Sequence, residues 1–109
     1  MLAKKHLIKK HTVKLRLEKD GNVICTPHKL IAVKGQSIEW ECEPRQPFTV
    51  DFSWESPFKD MAFQARAGEK IKISIPDVAS EGYFEYFVAI YDKSTGKIFT
   101  FDPELIIRR

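Results

Sequence analysis

Polar and apolar residues alternate along most of the chain, with a period of two rather than the longer period of a helix. Residues 13–18 read VKLRLE, and residues 70–75 read KIKISI. Successive side chains of a β-strand point to opposite faces of its sheet, so this pattern indicates strands with one buried face. Seven to nine such segments, separated by turn residues, predict an all-β fold, either an antiparallel sandwich or a small barrel.

Turn residues separate the predicted strands at short intervals. The segments are 13–18, 22–25, 30–33, 37–43, 48–52, 71–75, 82–91, 97–101 and 105–107. The Asp20-Gly21 pair supplies the turn between the first two of them. Residues 59–67 are the best candidate for a short helical turn.

The segment Gly82–Tyr91 is predicted to be one long strand that is rich in aromatic residues. One face would carry Phe84, Tyr86, Val88 and Ile90, and the other would carry Tyr83, Glu85, Phe87, Ala89 and Tyr91. We interpret Trp40, Phe84 and Tyr86 as core residues. Three aromatic side chains are left on the outward face of this strand: Tyr83, Phe87 and Tyr91.

The length of 109 residues is that of one domain, so we expect residues 1–109 to fold as a single unit. No apolar run approaches the roughly 20 residues that span a bilayer, and we therefore expect no membrane insertion. The first residues, MLAKKHLIKKHTVK, place lysines where a signal peptide needs an apolar segment. We accordingly expect the protein to be cytoplasmic.

Basic residues are concentrated at the start of the chain. Residues 1–19 contain seven basic side chains and one acid, although the whole chain carries a net charge of only +3. A basic arm over residues 1–12 can bind phosphates, or it can be a solvated edge strand whose lysines discourage aggregation. We favour the solvated strand, and a nucleic-acid partner is not expected.

Glutamates occupy every second position of the strand at 37–43. Glu39, Glu41 and Glu43 are expected to form an acidic row on a solvent-exposed face. Lysines such as Lys70 and Lys72 are the natural opposite row on a neighbouring strand. We interpret this row as a soluble strand face rather than as paired catalytic carboxylates.

The residue types that bind metals or act as nucleophiles form no recognisable set. His6 and His11 are five residues apart, on opposite faces of a strand, and so cannot share one ion. Cys25 and His28 are close in sequence, but no second pair completes a tetrahedral set. We predict no metal or other cofactor and no catalytic residues. The two cysteines are interpreted as reduced, buried thiols, with a Cys25–Cys42 disulfide as the alternative.

Two longer segments resemble the plastocyanin-type cupredoxins. The run VKGQSIEWECEPRQPFTVDF is similar to their central segment, in which a strand and loop lead to a histidine that binds copper. The run GYFEYFVAIY is similar to a later strand, in which alternating aromatic residues precede Cys-x-x-His. The intervening AGEKIKISIPDVASEGYF has the character of the connecting strand and loop. This resemblance covers roughly residues 30–101 and implies a cupredoxin-like Greek-key β-sandwich.

The resemblance also implies that the copper ligands are missing. By the alignment of these segments, Phe48 stands at the first histidine, Val88 at the cysteine and Tyr91 at the second histidine. Neither Phe48 nor Val88 has a lone pair to offer, and no methionine follows Tyr91. A type 1 copper site is therefore not expected. Metal-free proteins of this fold, such as the ephrin-type ectodomains, serve as binding modules.

Aromatic residues are the best remaining candidates for function. We predict a noncatalytic protein–protein interaction or structural module, with a protein partner or self-association. The candidate surface consists of Phe48, Trp54, Phe58, Phe63, Tyr83, Phe87 and Tyr91. Alternatively, a neighbouring segment of the same chain covers the outward row of Tyr83, Phe87 and Tyr91, so that the row is not a contact surface. Carbohydrate binding through Trp54 and exposed tyrosines, and a small enzyme of unrecognised type, are the other candidate functions.

Overall fold

Eleven β-strands make up the regular secondary structure of residues 10–109, which are the residues that the computed structural model describes. They are β1 (Lys10–Leu17), β2 (Val23–Thr26), β3 (Lys29–Val33), β4 (Ser37–Glu43), β5 (Phe48–Asp51), β6 (Ala62–Ala65), β7 (Ile71–Ser74), β8 (Gly82–Glu85), β9 (Phe87–Asp92), β10 (Lys97–Phe101) and β11 (Glu104–Arg108). Within residues 10–109 no helix is long and apolar enough to cross a membrane.

The first layer is a four-stranded sheet in the order β2-β1-β4-β7. Its strands show the alternation that the sequence predicts: Val13 and Leu15 are buried, whereas Lys14 and Arg16 are exposed. The turn at Asp20-Gly21 connects β1 to β2 as predicted, and Leu17 pairs with Val23. Most strand pairs are antiparallel, as the predicted sandwich requires, whereas β1 pairs with β4 and β3 pairs with β11 in parallel.

The second layer combines two sheets, β10-β9-β5-β6 and β3-β11-β8. The strands β8 and β9 are separated by Tyr86 alone, and the backbone N–H of Tyr86 donates to the carbonyl of Pro103 at 3.3 Å. Pro103 in turn lies between β10 and β11. This hydrogen bond joins the two sheets at their shared corner, so that they form one bent layer.

The strand count exceeds the predicted range of seven to nine for two reasons. The predicted strand Gly82–Tyr91 divides at Tyr86, because its first half pairs with β11 and its second half pairs with β5 and β10. The predicted helical turn at residues 59–67 was wrong, since Ala62–Ala65 forms β6 along the edge of β5. In both places pairing with a distant strand decides the local structure.

A chain of aromatic rings holds the two layers together. Trp40 of β4 is fully buried, and its Nε1 donates a hydrogen bond to the hydroxyl of Tyr86 at 3.2 Å. The ring of Tyr86 stacks on Phe52 with centroids 4.6 Å apart, and Phe58 meets Phe52 edge-on at 5.4 Å. Because Trp40 and Tyr86 belong to different layers, this contact closes the sandwich across its interior. Their prediction as core residues is confirmed.

The predicted basic arm overlaps the first strand. Residues 10–12 belong to β1 and pair with Ser37, Ile38 and Glu39 of β4. Residues 1–9, including His6, lie outside the described residues. The part of the arm that is described is therefore a strand of the first layer.

The two cysteines are unpaired and lie on either side of β1. Leu15 pairs with Cys25 on one side and with Cys42 on the other, so two strand spacings of about 5 Å each separate the thiols. A disulfide needs Cα atoms no more than about 7 Å apart, and this arrangement does not allow one. Burial raises the pKa of the Cys25 thiol to about 12, which keeps it protonated and unreactive.

The acidic row on β4 differs from the predicted solvent-exposed row at its first position. Glu39 is buried, and its carboxylate accepts hydrogen bonds from Lys10 and Lys70, each at 3.2 Å. Lys70 also lies 3.5 Å from Glu41, so the predicted lysine row is present at this position. The hydrogen bonds from Lys10 and Lys70 lower the pKa of Glu39.

The ionised Glu39 carboxylate therefore stabilises the folded state. A depressed folded-state pKa gives a contribution that is complete above the unfolded pKa of about 4.3 and is lost as pH falls through the folded value. We expect Glu39→Gln to reduce the free energy of unfolding at pH 7 by about 1 kcal/mol, since both lysines are more than half exposed and solvent screens them.

Urea denaturation at several pH values between 7 and 3 measures this effect. The difference between wild type and Glu39→Gln should shrink as the solution becomes acidic. Glu43→Gln is the matched control, because Glu43 lies on the same strand and forms no ion pair within residues 10–109. A difference that stays constant down to pH 3 would contradict the assignment to Glu39.

Candidate interaction surface

Three of the seven candidate aromatic residues belong wholly or partly to the core. Phe48 and Phe58 are buried, and Phe63 is partly buried against the same cluster. The ring of Phe58 meets the ring of Phe63 edge-on, with centroids 6.0 Å apart. Their assignment to an accessible surface is therefore corrected for Phe48 and Phe58, whose side chains fill the interior of the sandwich.

The candidate residues lie at both ends of β5. Phe48 begins β5, whereas Trp54 and Phe58 follow its last residue, Asp51. Since β5 runs antiparallel to β9, Phe48 lies beside Ile90 and Asp51 lies beside Phe87. The loop after β5 is consequently at the far end of the strand from Phe48.

The outward row predicted for Gly82–Tyr91 is present. Tyr83 is 51% exposed and Tyr91 is 41% exposed, whereas Phe84, Tyr86, Val88 and Ile90 are all buried. Phe87 is partly covered by Trp54, whose ring lies edge-on to it at 6.2 Å. The predicted alternation therefore continues through Tyr86, although the two halves of the row belong to different sheets. The alternative prediction for this row was that another segment of the same chain covers it. Within residues 10–109, only Phe87 is covered in this way, by Trp54.

Ile98 is a surface residue that the sequence did not single out. It lies directly opposite Tyr91 on β10 and is 66% exposed. The two side chains line a shallow groove of about 170 Å³. Pro47, Thr49, Gln64 and Ala89 also line this groove. The alternation of residues 97–101 gives the parity of Ile98, but only the register with β9 brings it next to Tyr91.

Charged residues are scarce on the outer face of the β10-β9-β5-β6 sheet. Register and alternation direct nine strand residues outward here: Thr49, Asp51, Ala62, Gln64, Phe87, Ala89, Tyr91, Ile98 and Thr100. Asp51 is the one charged residue among these nine, although 30% of the whole chain is charged. We call the other eight residues the uncharged face. Interface centres are depleted in charge and enriched in aromatic residues, and this face has both properties.

A second apolar row crosses the outer face of the β3-β11-β8 sheet. Ile31, Ile106 and Tyr83 lie side by side in register. The row is bordered by charged residues of both signs, because Glu104 pairs with Glu85 and with Lys29, and Arg108 lies at the other end of β11. The Tyr83 hydroxyl donates a hydrogen bond to Glu104, and this bond is the main cause that raises the pKa of Tyr83 to about 12. This part of the second layer therefore combines apolar groups with charged groups of both signs.

The outer face of the first layer is highly charged. A groove of about 560 Å³ runs across β1 and β4, and its charged lining residues are Lys14, Arg16, Glu41, Glu43, Arg45, Glu69 and Lys70. Several of these charges already have partners, such as the Arg16–Glu18 and Lys70–Glu41 pairs. None of the candidate aromatic residues lines this groove.

The histidines, cysteines and acids of residues 10–109 form no group of three or more that could hold a metal ion. His11 instead forms a 2.7 Å hydrogen bond with Gln36, whose side-chain oxygen also accepts from the backbone of Val33. This histidine therefore helps to fix the turn between β3 and β4.

Comparison with solved structures shows a cupredoxin-like Greek-key fold. The pseudoazurin of Methylobacterium extorquens AM1 superposes with a TM-score of 0.58 and 13% identity, over 90% of this chain and 74% of that one. A purple cupredoxin from Nitrosopumilus maritimus gives 0.59 and 10%, over 90% and 99% of the two chains. A copper(I) form of an amicyanin variant gives 0.52 and 10%, over 89% and 82%. These identities show the fold alone.

The amino-acid sequence alone does not place the chain in a known family. No protein-family model matches the chain, and no curated protein matches it. The cupredoxin resemblance of the sequence is thus confirmed at the level of the fold.

The three positions assigned to copper ligands do not fit a copper ion. Phe48 and Val88 carry hydrocarbon side chains that are buried in the core. Tyr91 lies three residues after Val88 on the same strand, so its side chain points to the opposite face of the sheet. A type 1 site needs two imidazoles and a thiolate around one ion, and these positions provide neither the donors nor the convergence.

Proposed function

We propose that the chain is a noncatalytic protein–protein interaction module on a cupredoxin-like scaffold, with the uncharged face as its main contact surface. The observation that carries this proposal is the combination of exposed Tyr91 and Ile98 with a sheet face on which Asp51 is the one charged residue among the nine outward strand residues. Burying such a face removes apolar area from water and, among its outward strand residues, desolvates one charged group, Asp51.

The groove beside Tyr91 supports the same proposal. Large aromatic residues at the centre of a contact usually provide much of the binding energy, especially where they border a depression that a partner side chain can fill. Tyr91 and Ile98 form one wall of such a depression. Phe87 and Trp54 extend the apolar surface toward the other end of β9.

Affinity capture from lysate of the source cells, with the full chain as bait, tests the proposal. We expect Ile98→Lys to reduce recovery of a captured partner at least tenfold, because it places a charge beside Tyr91 within the contact. Ile24→Lys is the matched control, since Ile24 is also on an edge strand and is 41% exposed, but on the charged layer. Equal recovery with both variants would contradict the proposal.

Carbohydrate binding is the second candidate, and Trp54 is the residue that favours it. Its ring is 65% exposed, and an exposed indole is a suitable surface for stacking a sugar ring. In the capture experiment this function predicts elution by free sugars. It also predicts loss of binding with Trp54→Ala rather than with Ile98→Lys.

A further inference from the structure

We propose that the occupant of the uncharged face is a second copy of this chain, in a weak two-fold symmetric dimer. This inference rests on the proposed function and names the partner. Most soluble oligomers are homo-oligomers, and a two-fold contact brings the same patch of both copies together. The patch must then be complementary to itself in charge and in shape.

The lack of charge on the uncharged face makes it complementary to itself in charge. A partner for this face has to be uncharged as well, because a charged group buried against Tyr91 and Ile98 would lose its hydration without gaining an ion pair. The same face of a second copy is such a partner. In a face-to-face dimer, Asp51 is the one charged strand residue of this sheet that points toward the contact, and it lies beside Phe87 at the start of β9.

The other apolar row of the second layer is less suited to contact with itself. Glu85 and Glu104 pair directly beside Ile106 and Tyr83. Lys29 and Arg108 point outward on the same face, so two copies that met through this row would bury four carboxylates and four basic groups, each of which would lose its hydration. The charge distribution therefore selects the β10-β9-β5-β6 sheet for self-association.

The shape of the face also suits a second sheet. Sheets pack face to face about 10 Å apart, which requires small residues where the backbones come closest. Thr49 and Ala89 lie directly opposite each other on the central strands β5 and β9. The groove of about 170 Å³ beside them accepts a side chain such as Ile98 or Tyr91 of the second copy.

The size of the face limits the strength of the dimer. Four strands about 4.8 Å apart, each of four to six residues, give a surface of roughly 19 Å by 15–20 Å. That is about 300 Å² in projection, whereas stable interfaces bury about 800 Å² per partner. Contacts by Trp54 at the border add to this area. We therefore expect a dissociation constant above about 10 µM.

Sedimentation equilibrium of the full chain between roughly 5 and 500 µM tests the dimer. The average mass of the wild type should rise with concentration toward twice the monomer mass. We expect Ile98→Lys to weaken association at least tenfold, and Ile24→Lys to behave as the wild type. Circular dichroism of both variants establishes that they are folded. A monomer at all concentrations, or equal association of the two variants, would overturn the proposal.

Salt provides an independent measurement on the same samples. A contact without charges should keep its dissociation constant within about twofold between low salt and 0.5 M NaCl, because there is little for the ions to screen. Association through the charged outer face of the first layer would instead weaken markedly as salt is added. A strong loss of dimer in salt would therefore also overturn the proposal.

The dimer and the proposed function can fail separately. If the wild type is monomeric but captures a partner that Ile98→Lys loses, the dimer is excluded and the interaction module is supported. If the dimer forms and depends on Ile98, the inference holds even where no other protein is captured. If neither association depends on Ile98, both proposals are wrong.

Discussion

Trp40→Ala is expected to lower the free energy of unfolding by about 3–5 kcal/mol. Trp40 is fully buried at the centre of the first layer, and its removal leaves a large cavity between the two layers. The substitution also removes the donor that bonds to the Tyr86 hydroxyl at 3.2 Å, and it removes the edge-on contact between these two rings at 6.0 Å. Domains of this size have a free energy of unfolding of only about 5–15 kcal/mol, so this loss is a large part of the total stability.

Chemical denaturation followed by far-ultraviolet circular dichroism measures this loss. Trp54→Ala is the matched control, because it removes the same side chain from a position that is 65% exposed and should cost less than about 1 kcal/mol. Trp40→Phe keeps part of the volume and gives a measurable value if Trp40→Ala does not fold. Equal effects of the two alanine variants would contradict the central position of Trp40.

The effect should be large because Trp40 begins a continuous series of ring contacts. Tyr86 follows in the second layer, and Phe52 and Phe58 continue from the end of β5 into the loop beyond it. A cavity at the first member removes support from the next, so this cost is not limited to one side chain. The same series explains why Phe58, although it lies in a loop, is a core residue rather than a contact residue.

The sequence predicts the features of this fold that depend on local alternation. The inward parity of Tyr86 and Val88 and the outward parity of Tyr83 and Tyr91 follow from their spacing, and the burial pattern agrees. The hairpin at Asp20-Gly21 is local as well, because Gly21 has a positive φ of 91° that favours glycine. A side chain at Gly21 would also lie 2.8 Å from Phe99.

Features that depend on pairing between distant strands could not be predicted in the same way. The division of Gly82–Tyr91 at Tyr86 arises because different partners bind its two halves. The segment Ala62–Ala65 is too short for its alternation to indicate a strand by itself, and β6 exists because β5 presents an edge to pair with. The parallel pairing of β1 with β4 also cannot be predicted from the sequence of either strand. Alternation shows which face of a strand is buried, but not which strand lies next to it.

The candidate surface shows the same limit. Parity indicates that Tyr91 points outward, but it does not reveal that Ile98 lies beside it or that the neighbouring strands contribute Thr49 and Gln64 rather than charged residues. Phe48 was assigned to the surface because of its alignment with a copper ligand, which says nothing about its burial in this chain. The uncharged face is thus a property of the register and not of any one segment.

Restoring the copper ligands of the cupredoxin pattern is expected to fail. In the triple variant Phe48→His, Val88→Cys and Tyr91→His, the first two side chains would point into the core and the third would point outward. The outward direction of position 91 is fixed by two contacts of its backbone: the N–H of Tyr91 donates to the carbonyl of Pro47 at 3.0 Å, and residue 91 pairs with Ile98. The three donors therefore cannot surround one ion.

Absorption spectra during titration with cupric ion measure the outcome. We expect the wild type and the triple variant to lack the intense visible band of a thiolate bound to copper in a type 1 site. The variant should also lose more than about 3 kcal/mol of stability, mostly because Phe48→His places an imidazole in an apolar interior. Tyr91→His alone is the control and should cost less than about 1 kcal/mol at its exposed position. An intense band in the triple variant would show that residue 91 can turn inward, and that β9 does not keep the strand geometry on which the uncharged face depends.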